Sequence, residues 1–144
     1  MRLDQPGPIA EVAQRLGRPP TYVDEDGFSR EILDAAIHPE TDQLAWVEES
    51  RKEAPGRVAV TIKIHVRDTD GAERACDIKS YNPFFGCHVG PLFWHGDAAY
   101  LIYREKHRTY ACRLDASWPP KFHEVDDGWL EETDPVRILK LLSG

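Results

Sequence analysis

Cys87, His88, His95, His107 and Cys112 are the residues of this chain whose types could do chemistry together. Imidazole and thiolate are good zinc ligands, and a sheet can bring ligands distant in sequence to one point. No two of them have the local spacing of a recurrent zinc motif, and Cys76, Cys87 and Cys112 include no CxxC pair. The expectation is therefore no bound metal, no cofactor, and cysteines that stay reduced and are mostly buried. A thiol nucleophile needs a base within hydrogen-bond reach. His88 follows Cys87 directly, and adjacent side chains of a strand point to opposite faces, so the base for Cys87 would have to be His95 or His107. A small hydrolase or metal-dependent enzyme using Cys87, His95 and His107 is the alternative that these residues define.

Two further groups of charged residues carry weaker chemistry. Residues 104–108, REKHR, lie between Tyr103 and Tyr110, and cations interleaved with aromatics can grip phosphates and stack bases. A charged hairpin tip in an acidic chain is more simply a solvated turn, so no nucleic-acid partner is expected. The carboxylate pairs Glu48-Glu49, Asp126-Asp127 and Glu131-Glu132, and the run Asp24-Glu25-Asp26, offer acids without a defined cleft. Near the C-terminus they surround Trp129, and an aromatic within a charged rim is the usual makeup of an interface. Asp126, Asp127, Trp129, Glu131 and Glu132 are therefore the predicted partner-binding residues.

The charge of the chain, −7 in total, is unevenly spread. Residues 1–50 hold 11 acids and 4 bases, residues 51–120 hold 8 acids and 11 bases, and residues 121–144 hold 6 acids and 3 bases. An acidic surface repels nucleic acid and anionic membrane and favours a basic protein partner. No run approaches the roughly 20 apolar residues that span a bilayer. The N-terminus lacks the apolar core of a signal peptide, so a cytoplasmic location is expected. Nothing in the sequence specifies an oligomeric state.

These residues must be positioned by a sheet, because residues 57–68, RVAVTIKIHVRD, alternate without a break. Val58, Val60, Ile62, Ile64 and Val66 face one way, and Ala59, Thr61, Lys63, His65 and Arg67 the other, as in a strand of an antiparallel sheet. Strands are also predicted at 44–47, 73–80, 92–94, 99–103, 109–114 and 122–125. Asp70-Gly71 marks one hairpin turn, residues 52–56 (KEAPG) another turn, and residues 105–108 a four-residue connection. Ile9, Val12, Ala13 and Leu16 recur at helical spacing between Pro8 and Gly17. Phe28, Ile32, Leu33, Ala36 and Ile37 predict a second helix ended by Pro39, and Asp134-Pro135 opens a third over 134–142. The predicted fold class is α+β within one domain: a helical part at 1–39, an antiparallel meander of five to seven strands at 40–126, and a C-terminal helix in 127–144.

A small, acidic, aromatic-rich chain of this character resembles the immunity proteins that bacteria keep inside the cell to neutralise a secreted toxin. The resemblance lies in general character and not in a motif, so no family residue is carried over. It implies a binding module that inhibits a basic toxin domain by direct contact.

Overall fold

The computed structural model describes residues 7–78, 87–105 and 108–125, and among them the chain forms nine β-strands and one α-helix. Two compact units divide it, Met1–Tyr81 and Asn82–Gly144. In the first, helix α1 (Pro8–Leu16) precedes β1 (Thr21–Val23), β2 (Ser29–Ile37), β3 (Leu44–Ala54), β4 (Arg57–Arg67) and β5 (Glu73–Asp77), an antiparallel meander in chain order. In the second, β6 (Cys87–His95), β7 (Ala98–Glu105), β8 (Arg108–Leu114) and β9 (Phe122–Val125) form another meander.

The α+β expectation is corrected by this architecture, which is essentially all-β. Helix α1 forms as predicted, with Pro8 in its first turn and Gly17 at φ +76°, a left-handed stop that lets Arg18 N–H reach Ala13 O. The second predicted helix is strand β2. Its ladder with β3 shifts register between Ile32 and Asp34, and the extra residue, Leu33, returns Ile32, Ala35 and Ile37 to one face. A bulge thus turns a period of two into spacings of three and two that imitate a helix. The C-terminal helix over 134–142 lies outside the described residues.

The β3–β4 ladder runs through eleven pairs, from Leu44↔Arg67 to Ala54↔Arg57. Strand β3 is more than twice as long as the predicted 44–47, because Ser50–Ala54, of which 52–54 belong to the predicted turn, finds partners in Arg57–Thr61. Only Pro55-Gly56 turns, with Gly56 at φ +81°. One face carries Ala45, Val47, Ile62, Ile64 and Val66, all buried. On the other, Val12 and Ala13 of α1 pack against Ile32, Ala35, Leu44 and Trp46. The predicted alternation in β4 holds from Ile62 to Val66 and opens toward the hairpin, where Val58 is exposed.

In the second unit Gly96-Asp97 turns between β6 and β7, and the short edge strand β9 stands at the predicted 122–125. The β7–β8 ladder continues to Glu105↔Arg108, so residues 106 and 107 alone connect it rather than the four of 105–108. Tyr103 stacks on Tyr110 at 5.1 Å and meets Phe122 edge-on at 6.0 Å.

Replacing Ile64 with Ala is expected to destabilise by about 2–5 kcal/mol, the range for emptying a buried aliphatic site. Lys63→Ala and Val58→Ala, at exposed positions, should each fall within about 0.5 kcal/mol. Denaturant melts check this, and equal losses at 63 and 64 would mean the faces of β4 are reversed.

Candidate functional site

Among the described residues, those singled out for chemistry do not assemble a centre. Cys112 is fully buried, facing Leu101 across the β7–β8 ladder, and His95 is exposed at the end of β6. Of Cys87 and His88 the structure describes the backbone, which opens β6, and His107 lies outside the described residues. Among the described residues no group of three or more His, Cys, Asp or Glu could hold a metal ion. Burial and the neighbouring Asp77 charge push the Cys76 thiol up to about 11, so it is a poor nucleophile near neutrality. Tyr103 and Tyr110 are buried in their stack and present no open face to a base. The predicted partner-binding residues Asp126, Asp127, Trp129, Glu131 and Glu132 lie outside the described residues.

Glu48, Glu49 and Asp24 take structural roles. Glu48 and Glu49 point to opposite faces of β3, so they cannot act as one acid–base pair. Glu48 is buried and forms an ion pair with Arg18, with Arg30 at 3.8 Å, while Glu49 meets Arg51 at 3.5 Å. Asp24 organises the β1–β2 turn by accepting the N–H groups of Asp26 and Phe28, and its other oxygen accepts Arg30 Nε at 2.6 Å. That bond from Arg30, followed by the one from Phe28 N–H, holds the Asp24 carboxyl below its ordinary range.

What the fold does build is a groove of about 370 Å³ at one end of the five-stranded sheet. Its walls are Arg15 of α1, Thr41 and Asp42 of the β2–β3 turn, and Arg67, Asp68 and Thr69 at the β4–β5 turn, with Leu44 between them. Both turns lie at this end because Ile37↔Leu44↔Arg67↔Glu73 is a continuous cross-strand row. His38 shapes the first turn. Its buried Nδ1 accepts N–H bonds from Glu40 at 3.0 Å and Thr41 at 3.3 Å, and Asp42, at φ +65°, donates its N–H to His38 O. In the second turn Asp68 accepts from Gln43 Nε2 at 2.9 Å, which ties the two turns together, and Arg74 stands 3.5 Å from the same oxygen.

The cations of the groove are already engaged. Arg15 bridges Glu11 at 3.0 Å and Asp42 at 3.5 Å, fastening α1 to the first turn. Arg67 lies over Trp46, 5.9 Å from its ring centroid, and donates to Glu73 Oε2 at 3.1 Å. The other oxygen of Glu73 is 3.1 Å from His65 Nδ1, and the His65 ring stacks on Trp46 at 4.8 Å with planes 1° apart. A carboxylate can only accept, so the neutral ring carries its proton on Nδ1. His65 Nε2 then holds a bare lone pair, but that atom is closed to solvent and has no partner among the described residues. The pair has the form of an oriented base without access to a substrate, and what it does is hold Arg67 in place. Surplus charge at this end is negative: Glu40 and Asp70 are both exposed and hold no cation among the described residues.

No protein-family model, no curated protein and no solved structure matches the chain. No helix among the described residues is long and apolar enough to cross a membrane. Sequence reasoning missed the groove, although half of its signal, the hairpin turn at Asp70-Gly71, was legible.

Burial depresses the His65 pKa below its ordinary 6.5, against the opposing pull of Glu73. The unfolded chain therefore binds more protons than the folded one just below 6.5, so this contribution to stability is complete above 6.5 and lost as the pH falls toward the lower folded value. Melts between about pH 7.5 and 5.5 should show a steeper fall for the wild type than for His65→Gln. Parallel curves would mean that His65 ionises as freely in the fold as outside it.

Proposed function

We propose that this protein is a protein-binding module that takes up a basic segment of a partner at the acidic end of its five-stranded sheet. The groove between α1 and the two turns carries this reading, because its own cations are neutralised from within while Glu40 and Asp70, next in sequence to the lining residues Thr41 and Gly71, hold no cation among the described residues. An entering Lys or Arg meets Asp68 and Asp70, carboxylates already held by Gln43 Nε2 and by the N–H of Ala72, with little ordering left to do. The resemblance to immunity proteins supplies the class of partner: a basic toxin domain, neutralised by direct binding. Asp126, Asp127, Trp129, Glu131 and Glu132 form a second docking surface in this proposal, supported by the charge of the C-terminal segment.

Capture from the source cell with the wild-type chain as bait should recover a basic partner whose association slows as salt rises, since exposed charges are screened beyond about 8 Å at physiological ionic strength. Reversing Glu40 and Asp70 to Lys should lower the on-rate by at least about tenfold while the melting curve is retained. Asp127→Lys with Glu131→Lys tests the C-terminal surface separately. A partner list and on-rates unchanged by both pairs of reversals would end the proposal.

A further inference from the structure

We infer that the chain also associates with a second copy of itself, head to tail, with the basic tip of the β3–β4 hairpin of one molecule entering the acidic groove of the next. This self-association uses the groove in its proposed role and adds an occupant that the chain itself supplies.

The tip has the chemistry and shape of such an occupant. Strand β2 begins at Ser29 opposite Arg51, so the last three pairs of the β3–β4 ladder, Lys52↔Ala59, Glu53↔Val58 and Ala54↔Arg57, extend past it. On the other side β5 pairs as far as Lys63, and the Ile78 N–H reaches Ile62 O just beyond it. Among the described residues what projects is a two-stranded ribbon, its backbones about 4.8 Å apart. Residues 52–59 are all exposed. Arg57 has no carboxylate partner among the described residues, and Lys52 rests over the Phe28 ring at 5.2 Å. Glu53 is the sole acid in this stretch, while Pro55 and Val58 add apolar surface.

A molecule cannot fill its own groove. Leu44 lines the groove and pairs with Arg67, and Ala54 pairs with Arg57 at the tip, so the same two strands hold groove and tip about 33 Å apart, ten steps at roughly 3.3 Å each. The contact must be between molecules. Tip-into-groove docking is heterologous, and unless the rotation closes a ring each added molecule leaves one groove and one tip open. Each chain carries a net charge of −7, which opposes association at long range. At about 0.1 M salt that repulsion is mostly screened, while pairs in contact persist; near 1 M these too weaken.

Sedimentation velocity of the full chain over a concentration series tests this. Species larger than the monomer should grow with concentration at about 0.1 M salt and disappear near 1 M. The tip variant Lys52→Gln/Arg57→Gln and the groove variant Glu40→Gln/Asp70→Asn should each be monomeric alone. Mixed in equal amounts they should give a dimer and nothing larger, since one intact groove then meets one intact tip. Circular dichroism checks that both variants keep the sheet, and the salt series on the wild type needs no variant. A wild type that is monomeric throughout, assembly that ignores both substitutions, or a mixture that stays monomeric would overturn the inference. If the wild type is monomeric but the groove variant still loses its partner protein, self-association is discarded and the groove's role stands. A groove variant that keeps both assembly and partner discards both.

Discussion

The eleven-pair ladder between β3 and β4 is the constraint from which the first unit follows. A slip of β4 by one residue would turn Ile62, Ile64 and Val66 from the buried face to the other. Burying each such side chain is worth about 1.5–3 kcal/mol, so three amount to roughly 5–9 kcal/mol, comparable with the whole stability of a domain, about 5–15 kcal/mol. The register is therefore set by the apolar face, and the polar face inherits it. Trp46 lies opposite His65 and Glu48 opposite Lys63 because the valines and isoleucines behind them allow nothing else.

The polar face has its own demands, and they bind the neighbouring elements to the ladder. A buried carboxylate such as Glu48 is tolerable only with cations in contact, and losing one partner of a buried pair costs about 3–5 kcal/mol. Its partners come from outside β3 and β4: Arg18 from the segment after α1 and Arg30 from β2. Arg30 in turn holds Asp24, which organises the β1–β2 turn. Apolar packing of Val12 and Ala13 fixes one half of this face, and the chain of charges from Glu48 to Asp24 fixes the other.

Local signals were legible where one element answered to one pattern. The alternation of β4, the Pro8 and Gly17 boundaries of α1 and the Asp70-Gly71 turn could all be read from neighbours in sequence. Strand β2 could not, because the bulge at Leu33 is set by its pairing with β3 and changes the apparent period of Ile32, Ala35 and Ile37. Nor could the second half of β3, where Glu48 to Glu53 has no apolar alternation and is a strand only because Val58–Lys63 lies beside it. The groove was hidden for the same reason. Arg15, Asp42 and Arg67 are far apart in sequence, and only the cross-strand row from Ile37 to Glu73 brings their turns together.

That row also explains why the groove is prepared for a cation before one arrives. Asp42 sits at φ +65°, a conformation that aspartate tolerates better than most residues, and the His38 bonds hold the turn that imposes it. Arg67 is held from beneath by Trp46 and from the side by Glu73, which His65 holds in turn. Long, flexible side chains that would otherwise lose about 0.5–1.5 kcal/mol each on binding are already immobile. Surface charge by itself mainly speeds encounter and selects partners. Affinity at such a site must come instead from carboxylates that need not be ordered, and here Asp68 is held by Gln43 and Arg74, and Asp70 by the N–H of Ala72.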